Sequence, residues 1–215
     1  MKLATFALPG ILLLGSFASV QAAVPYSTLA GSGQVAVAFL GVPASTDHPT
    51  NPNEPYICIW YPLILGDLKL GSLFAPAGAP VVDKEHAYLI WVSDYDAQVV
   101  SSTNGGFTLM LVPTGTATIY FNDWPEHRIW TDPTDRSTWG VPVARFVRKA
   151  GIFQSADDGY SGTMISSAEL VSSIPFSLNG QTFDFRNLIP NGITCYVAGV
   201  GDAESGTCVA VGDGM

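Results

Sequence analysis

Of the 215 residues, 47% are hydrophobic and only 13% are charged, which excludes a disordered chain, because disorder needs the opposite balance. Eighteen Asp and Glu stand against nine Lys and Arg, a net charge of −9 with no basic stripe, which excludes a typical nucleic-acid binder. The same balance favours solubility and repels anionic membranes.

Met1-Lys2 gives a short positive start, Leu3 to Leu14 is almost wholly apolar, and small residues lead to Val20-Gln21-Ala22-Ala23. Together these form the three-part pattern of a secretory signal peptide, expected over residues 1–22. The apolar run is too short for a span, which needs about 20 residues, and Pro9-Gly10 interrupts it. No later stretch is long enough to cross a bilayer, so the mature chain is expected to lack a span. What remains, residues 23–215, reads as a single β domain secreted to an extracellular or periplasmic space.

Along that domain, fifteen Pro and twenty-two Gly leave little room for long helices. Between them lie short runs that read as strands: Gln34–Val42, Pro55–Tyr61, His86–Ser93, Gly106–Val112, Gly115–Phe121, Gln181–Phe185 and Ile193–Val197. Asp47–Pro55 and Ala75–Pro80 are loops. Val141–Arg148 fits either a strand or a helical turn, and Ser166–Ser173 either a strand or a weak helix stopped by Pro175.

Asn179-Gly180 and Asn104-Gly105 carry the chemistry of two-residue hairpin turns, Leu65-Gly66-Asp67-Leu68 is a third candidate, and Pro113-Thr114-Gly115 connects two strand runs. Consecutive hairpins imply antiparallel pairing. Phe183 and Phe185 alternate with polar neighbours, whereas Leu89-Ile90-Trp91-Val92 is apolar throughout and reads as a central strand. The pattern fits an all-β fold, an antiparallel β-sandwich of immunoglobulin-like layout, with a β-barrel as the alternative.

The densest chemistry lies in Asn122–Trp139, which holds Trp124, Trp130, Trp139, His127, Arg128 and Asp132. Long connections on a rigid scaffold concentrate function, and indole faces suit sugar rings or protein surfaces. Those six residues are the candidate ligand-binding set. The plainer reading folds the tryptophans back to plug the fold, with Glu126–Arg128 and Asp132–Arg136 as surface ion pairs worth under about 1 kcal/mol each.

Catalytic motifs are missing. No H-E-x-x-H, G-x-S-x-G or C-x-x-C occurs, and His48 and His86 are distant in sequence from His127. A hydrolase would have to use His127 with Glu126 and Asp123. Asp94-Tyr95-Asp96 and Asp157-Asp158-Gly159 could offer oxygens to calcium, but neither starts an EF-hand register, and both read first as solvated turns. No metal or cofactor is therefore assigned.

Three cysteines suit an oxidising compartment. Cys195 and Cys208 are the expected disulfide, closing a loop worth about 3 kcal/mol in the chain-entropy account. Cys58 reads as a buried thiol, with its pairing to either of the others open. The leading functional expectation is a secreted, non-enzymatic acidic protein that binds a glycan or protein partner, or has a structural role outside the cell. The hydrolase is the alternative.

Overall fold

The computed structural model describes residues 34–43, 56–76, 81–95, 100–104, 107–111, 115–132, 135–156, 161–200 and 203–211. The expected signal peptide, the 47–55 loop and Asp157–Gly159 lie outside these. Twelve strands form among the described residues. They are β1 Val35–Pro43, β2 Tyr56–Leu65, β3 Leu89–Tyr95, β4 Val100–Asn104, β5 Phe107–Leu111 and β6 Thr116–Phe121, followed by β7 Val141–Ala156, β8 Ser161–Ser173, β9 Phe176–Leu178, β10 Gln181–Phe183, β11 Ile193–Val200 and β12 Ala203–Val211. The one α-helix among them, α1, is a single turn over Phe185–Leu188.

Eight of these strands close on themselves in the order β1-β2-β3-β6-β7-β8-β11-β12, every neighbour antiparallel, with β12 returning to β1. The all-β, antiparallel expectation holds, and of its two layouts the barrel forms rather than the sandwich. The physical reason lies in β7, which is 16 residues long and pairs along one side with β8. Register shifts at Arg145/Phe146 and Arg148/Ala150 bend this pair, and such bulges curl a sheet towards closure. The β4–β5 hairpin, inserted between β3 and β6, pairs with the last residues of β7. Consequently β5 and β6, joined through 112–114, do not pair with each other but lie in succession along β7.

An eight-stranded barrel has an interior that side chains just fill. One ladder row runs Gly206, Gly41, Trp60, Trp91, Ile119, Ala144 across neighbouring strands. Phe39 and Phe146 approach Trp91 with ring centroids at 5.8 and 4.7 Å. Trp60 fills the space left by the two glycines, since a Cβ on Gly41 would fall 2.1 Å from its ring and one on Gly206 2.6 Å. One end is plugged by Phe121, Phe176, Phe183 and Phe185, whose rings meet around Phe176 at 5.1 to 5.8 Å.

Local chemistry sets that plug. Asn179 and Gly180, at φ 52° and 78°, make the β9–β10 turn with the positive angles a type I′ turn requires. Asp184 caps α1 by accepting from Arg186 N at 2.9 Å, so Phe183 and Phe185 belong to different elements but remain buried together. Gly66 also turns the chain with positive φ, but into a 3-10 turn at Leu70–Ser72 instead of a second hairpin strand. Val141–Arg148 and Ser166–Ser173, ambiguous as sequence, are both strand.

Cys195 and Cys208 sit directly opposite on β11 and β12 and form the expected disulfide, with Cα atoms 3.9 Å apart. The backbone of Cys58 belongs to β2; its side chain lies outside the description. Among the described residues no helix is long and apolar enough to cross a membrane.

Candidate functional site

The connection from β6 to β7, residues 122–140, folds back along the outside of β3 and β6. It begins and ends at one place, where Asn122 Nδ2 donates to Thr138 O at 3.1 Å. A second rung runs from Ile129 N to Thr138 Oγ1 at 2.9 Å, and a third from Trp139 Nε1 to Ile129 O at 3.2 Å. Trp91 faces inward, so strand alternation turns Ile90 and Val92 outward, yet both are fully buried. Trp139 supplies part of that cover. It is itself completely buried and meets edge-on the ring of Tyr120, the residue opposite Ile90 in the ladder.

Two arginines fasten the cover. Arg128 is buried and, among the described residues, donates to backbone carbonyls: Nη1 to Ala87 O at 2.5 Å and Lys84 O at 3.5 Å, Nη2 to Tyr88 O at 3.1 Å, and Nε to Trp139 O at 3.2 Å. Burial pushes this guanidinium down to about 9, which leaves it charged at neutral pH. Arg136 forms a two-pronged bridge to Asp94 of β3, Nη1 to Oδ2 at 2.8 Å and Nη2 to Oδ1, and its guanidinium lies 5.6 Å from the centre of Trp139. The bond to Asp94 is the main cause that raises Arg136, overcoming partial burial. The expected pairs Glu126–Arg128 and Asp132–Arg136 are therefore replaced. The fold brings each arginine to acceptors on the barrel wall, where bonds are better shielded from water than on a loop surface.

The six candidate residues separate into two groups. Trp139 and Arg128 are buried in the cover, and Trp130 is half-buried against Trp139 at 5.5 Å, with Lys84 Nζ 5.1 Å from its ring centre. Trp124, His127 and Asp132 are exposed. Trp124 and His127 come together, with ring centroids 3.7 Å apart. Trp124 remains 63% exposed although its backbone is held, its N–H donating to Asn122 Oδ1 at 2.8 Å and its carbonyl accepting from His127 N at 3.2 Å. The 3-10 turn Pro125–His127 contributes a buried proline, and Asp123, Glu126 and Ile129, close to Trp124 in sequence, have exposed side chains.

Among the described residues no ion pair joins His127 to a carboxylate; the histidine–carboxylate pair present is His86 Nδ1 with Asp83 Oδ1 at 2.7 Å, in a turn that Asp83 also caps through His86 N. No cluster of three potential metal ligands occurs among the described residues, and Asp94 of the Asp94-Tyr95-Asp96 triplet is committed to Arg136. The anchors Asp94, Tyr120 and the Ala87 and Tyr88 carbonyls carry no motif. Their one sequence signal is the apolar character of both faces of β3, which demands cover outside as well as inside. No family model, curated protein or solved structure matches the chain.

Proposed function

We propose that the chain is a secreted, non-enzymatic binding protein whose recognition element is the exposed side of the 122–139 connection, centred on Trp124 and His127. The observation that carries this reading is a tryptophan 63% exposed on a backbone fixed by hydrogen bonds. Leaving an indole in water forgoes burial worth about 1.5–3 kcal/mol for a large apolar side chain, and fixing it in advance lowers the ordering cost when something covers it. Indoles are also prominent among the residues that dominate binding energy.

Of the two partner classes the loop suits, the geometry favours a protein surface over a glycan. The His127 ring packs against Trp124 at a tilt, and the residues beside them in sequence, Asp123, Glu126 and Ile129, are exposed. An exposed indole with acidic neighbours in sequence suits insertion into another protein's groove.

A peptide-display library panned on the full chain tests the reading, alongside a glycan array probed with the same labelled protein. Peptides should be enriched that lose at least tenfold in affinity for the Trp124→Ala variant. Hits confined to glycans would replace the protein class with the sugar class. Hits indifferent to Trp124→Ala would remove the site.

A further inference from the structure

The charges next to the exposed indole are one-sided. The 122–139 connection carries two arginines, and the fold withdraws both from its surface: Arg128 is buried among backbone carbonyls, and Arg136 is bridged to Asp94 of β3. Its acids do the opposite, since Asp123, Glu126, Asp132 and Asp135 are all exposed. Glu85 has Lys84 beside it at 3.8 Å and Glu169 has Lys149 at 2.6 Å, but among the described residues no ion pair engages Asp123 or Glu126. Asp123 adjoins Trp124 and Glu126 is two residues further on, so their Cα atoms lie within about 7.6 Å of that of Trp124. This distance is comparable with the Debye length of about 8 Å at physiological salt, and the two charges are only partly screened at the ring. Acids alone would mark a solvated face; the fixed, exposed indole sets them at a binding surface.

We propose that the partner of the Trp124 surface is a basic peptide segment of another protein, which lays an arginine or lysine against the indole. The inference rests on the binding role given above to Trp124 and names the chemistry of its partner. An indole attracts a cation to its face through the ring quadrupole, more strongly than the other aromatic side chains do. The connection already uses this chemistry twice, with the Arg136 guanidinium 5.6 Å from the centre of Trp139 and Lys84 Nζ 5.1 Å from that of Trp130. Of its three tryptophans, Trp124 alone has no lysine or arginine against its ring among the described residues, and it is the exposed one. Two carboxylates beside it in sequence complete the attraction for a cation that arrives from outside. Arginine suits the place better than lysine, because its planar guanidinium stacks on a ring while its donors reach a carboxylate. An anionic partner would be repelled by both acids and by a chain of net charge −9.

Two experiments on the full chain test this. The first reads the field at the ring by collisional quenching of Trp124 emission, taken as the difference between parent and Trp124→Phe, with caesium and iodide ions as probes. Two charges at this range change the local concentration of a monovalent ion about twofold. Asp123→Asn combined with Glu126→Gln should therefore lower the caesium quenching constant and raise the iodide constant by about that factor. Constants unchanged by the double substitution would overturn the proposal. In the second, peptides that bind the parent but not Trp124→Ala are resynthesised with every Arg and Lys replaced by Gln. The selected peptides should be rich in those cations and lose about tenfold in affinity on the exchange, the scale of two exposed charge pairs. This exchange needs no variant of the chain. Trp124-dependent peptides that are neutral or acidic, or that tolerate the exchange, would overturn the proposal and leave the recognition element standing. Peptides indifferent to Trp124→Ala would remove both.

Discussion

Replacing Arg128 with methionine tests whether the cover over β3 depends on a single clamp. The change keeps much of the length of the side chain but removes all its donors. Three carbonyls within 3.2 Å, those of Ala87, Tyr88 and Trp139, then lose a charged partner. Tyr88 O keeps the backbone N–H of Asn122 at 2.9 Å, so two acceptors are left unsatisfied in the interior, and at about 1–3 kcal/mol each the gross loss is roughly 2–6 kcal/mol. Relief works the other way, because the buried charge that lowers this guanidinium to about 9 is no longer desolvated. The lower end therefore prevails, a loss of about 2 kcal/mol. Urea unfolding followed by far-ultraviolet circular dichroism gives the stability, and tryptophan emission should shift to the red as Trp139 becomes wetted. The loss should be constant between about pH 5 and 8, where the guanidinium is charged in both the folded and unfolded chain. Arg128→Lys keeps the charge, but one ammonium cannot reach carbonyls spread along two segments, so it should fall between parent and Arg128→Met. A Met variant within 0.5 kcal/mol of the parent, with unshifted emission, would refute the clamp.

Gly41→Ala should cost about 3 kcal/mol in the same unfolding assay, since its Cβ would fall 2.1 Å from Trp60 and the ring is confined by Gly206 as well. Gly180→Ala, with positive φ but nothing within 4 Å, should cost only the left-handed backbone term of about 1 kcal/mol; equal losses would remove the packing account. Tyr61 is raised above its ordinary value, first by burial and then by the charge of Asp83. The folded chain thus holds this proton where the unfolded chain has lost it. The stability contribution is complete below about pH 10 and disappears as pH rises through the folded value. Phenolate absorbance, taken as the difference between parent and Tyr61→Phe, should show the late titration, and Asp83→Asn should move it earlier. No movement would exclude Asp83 as a cause.

The strands and the Asn179-Gly180 turn were legible because a two-residue period and turn chemistry are local properties. Cys195 and Cys208 were legible for the same reason, being the two ends of one hairpin. Closure was not legible. A one-residue shift at Arg145/Phe146 changes the bend of a sheet without changing composition, so a sandwich and a barrel share one strand pattern. Within 122–139, sequence identified an unusual cluster but could not divide it. Trp124 and Trp139 differ chiefly in neighbours, the latter meeting Tyr120 of β6 while the former meets only His127 of its own turn among the ring contacts of the described residues. Arg128 and Arg136 likewise chose acceptors some forty residues away in preference to nearby acids.

The seam between β1 and β12 has a consequence for how the chain reaches its native state. Other barrel neighbours succeed one another along the chain, directly or after the inserted β4–β5 hairpin or the β9–α1 segment, but this pair sets Val37 beside Ala210. Contacts so distant in sequence form late and slow folding, because the loop entropy between them must be lost first. While the polypeptide is being synthesised, β1 has no partner on that side until β12 emerges, and a row of backbone donors and acceptors stays open. The vulnerable species is therefore an almost complete meander with two raw edges, and mutations that delay β12 should raise aggregation during synthesis more than they lower the stability of the finished ring.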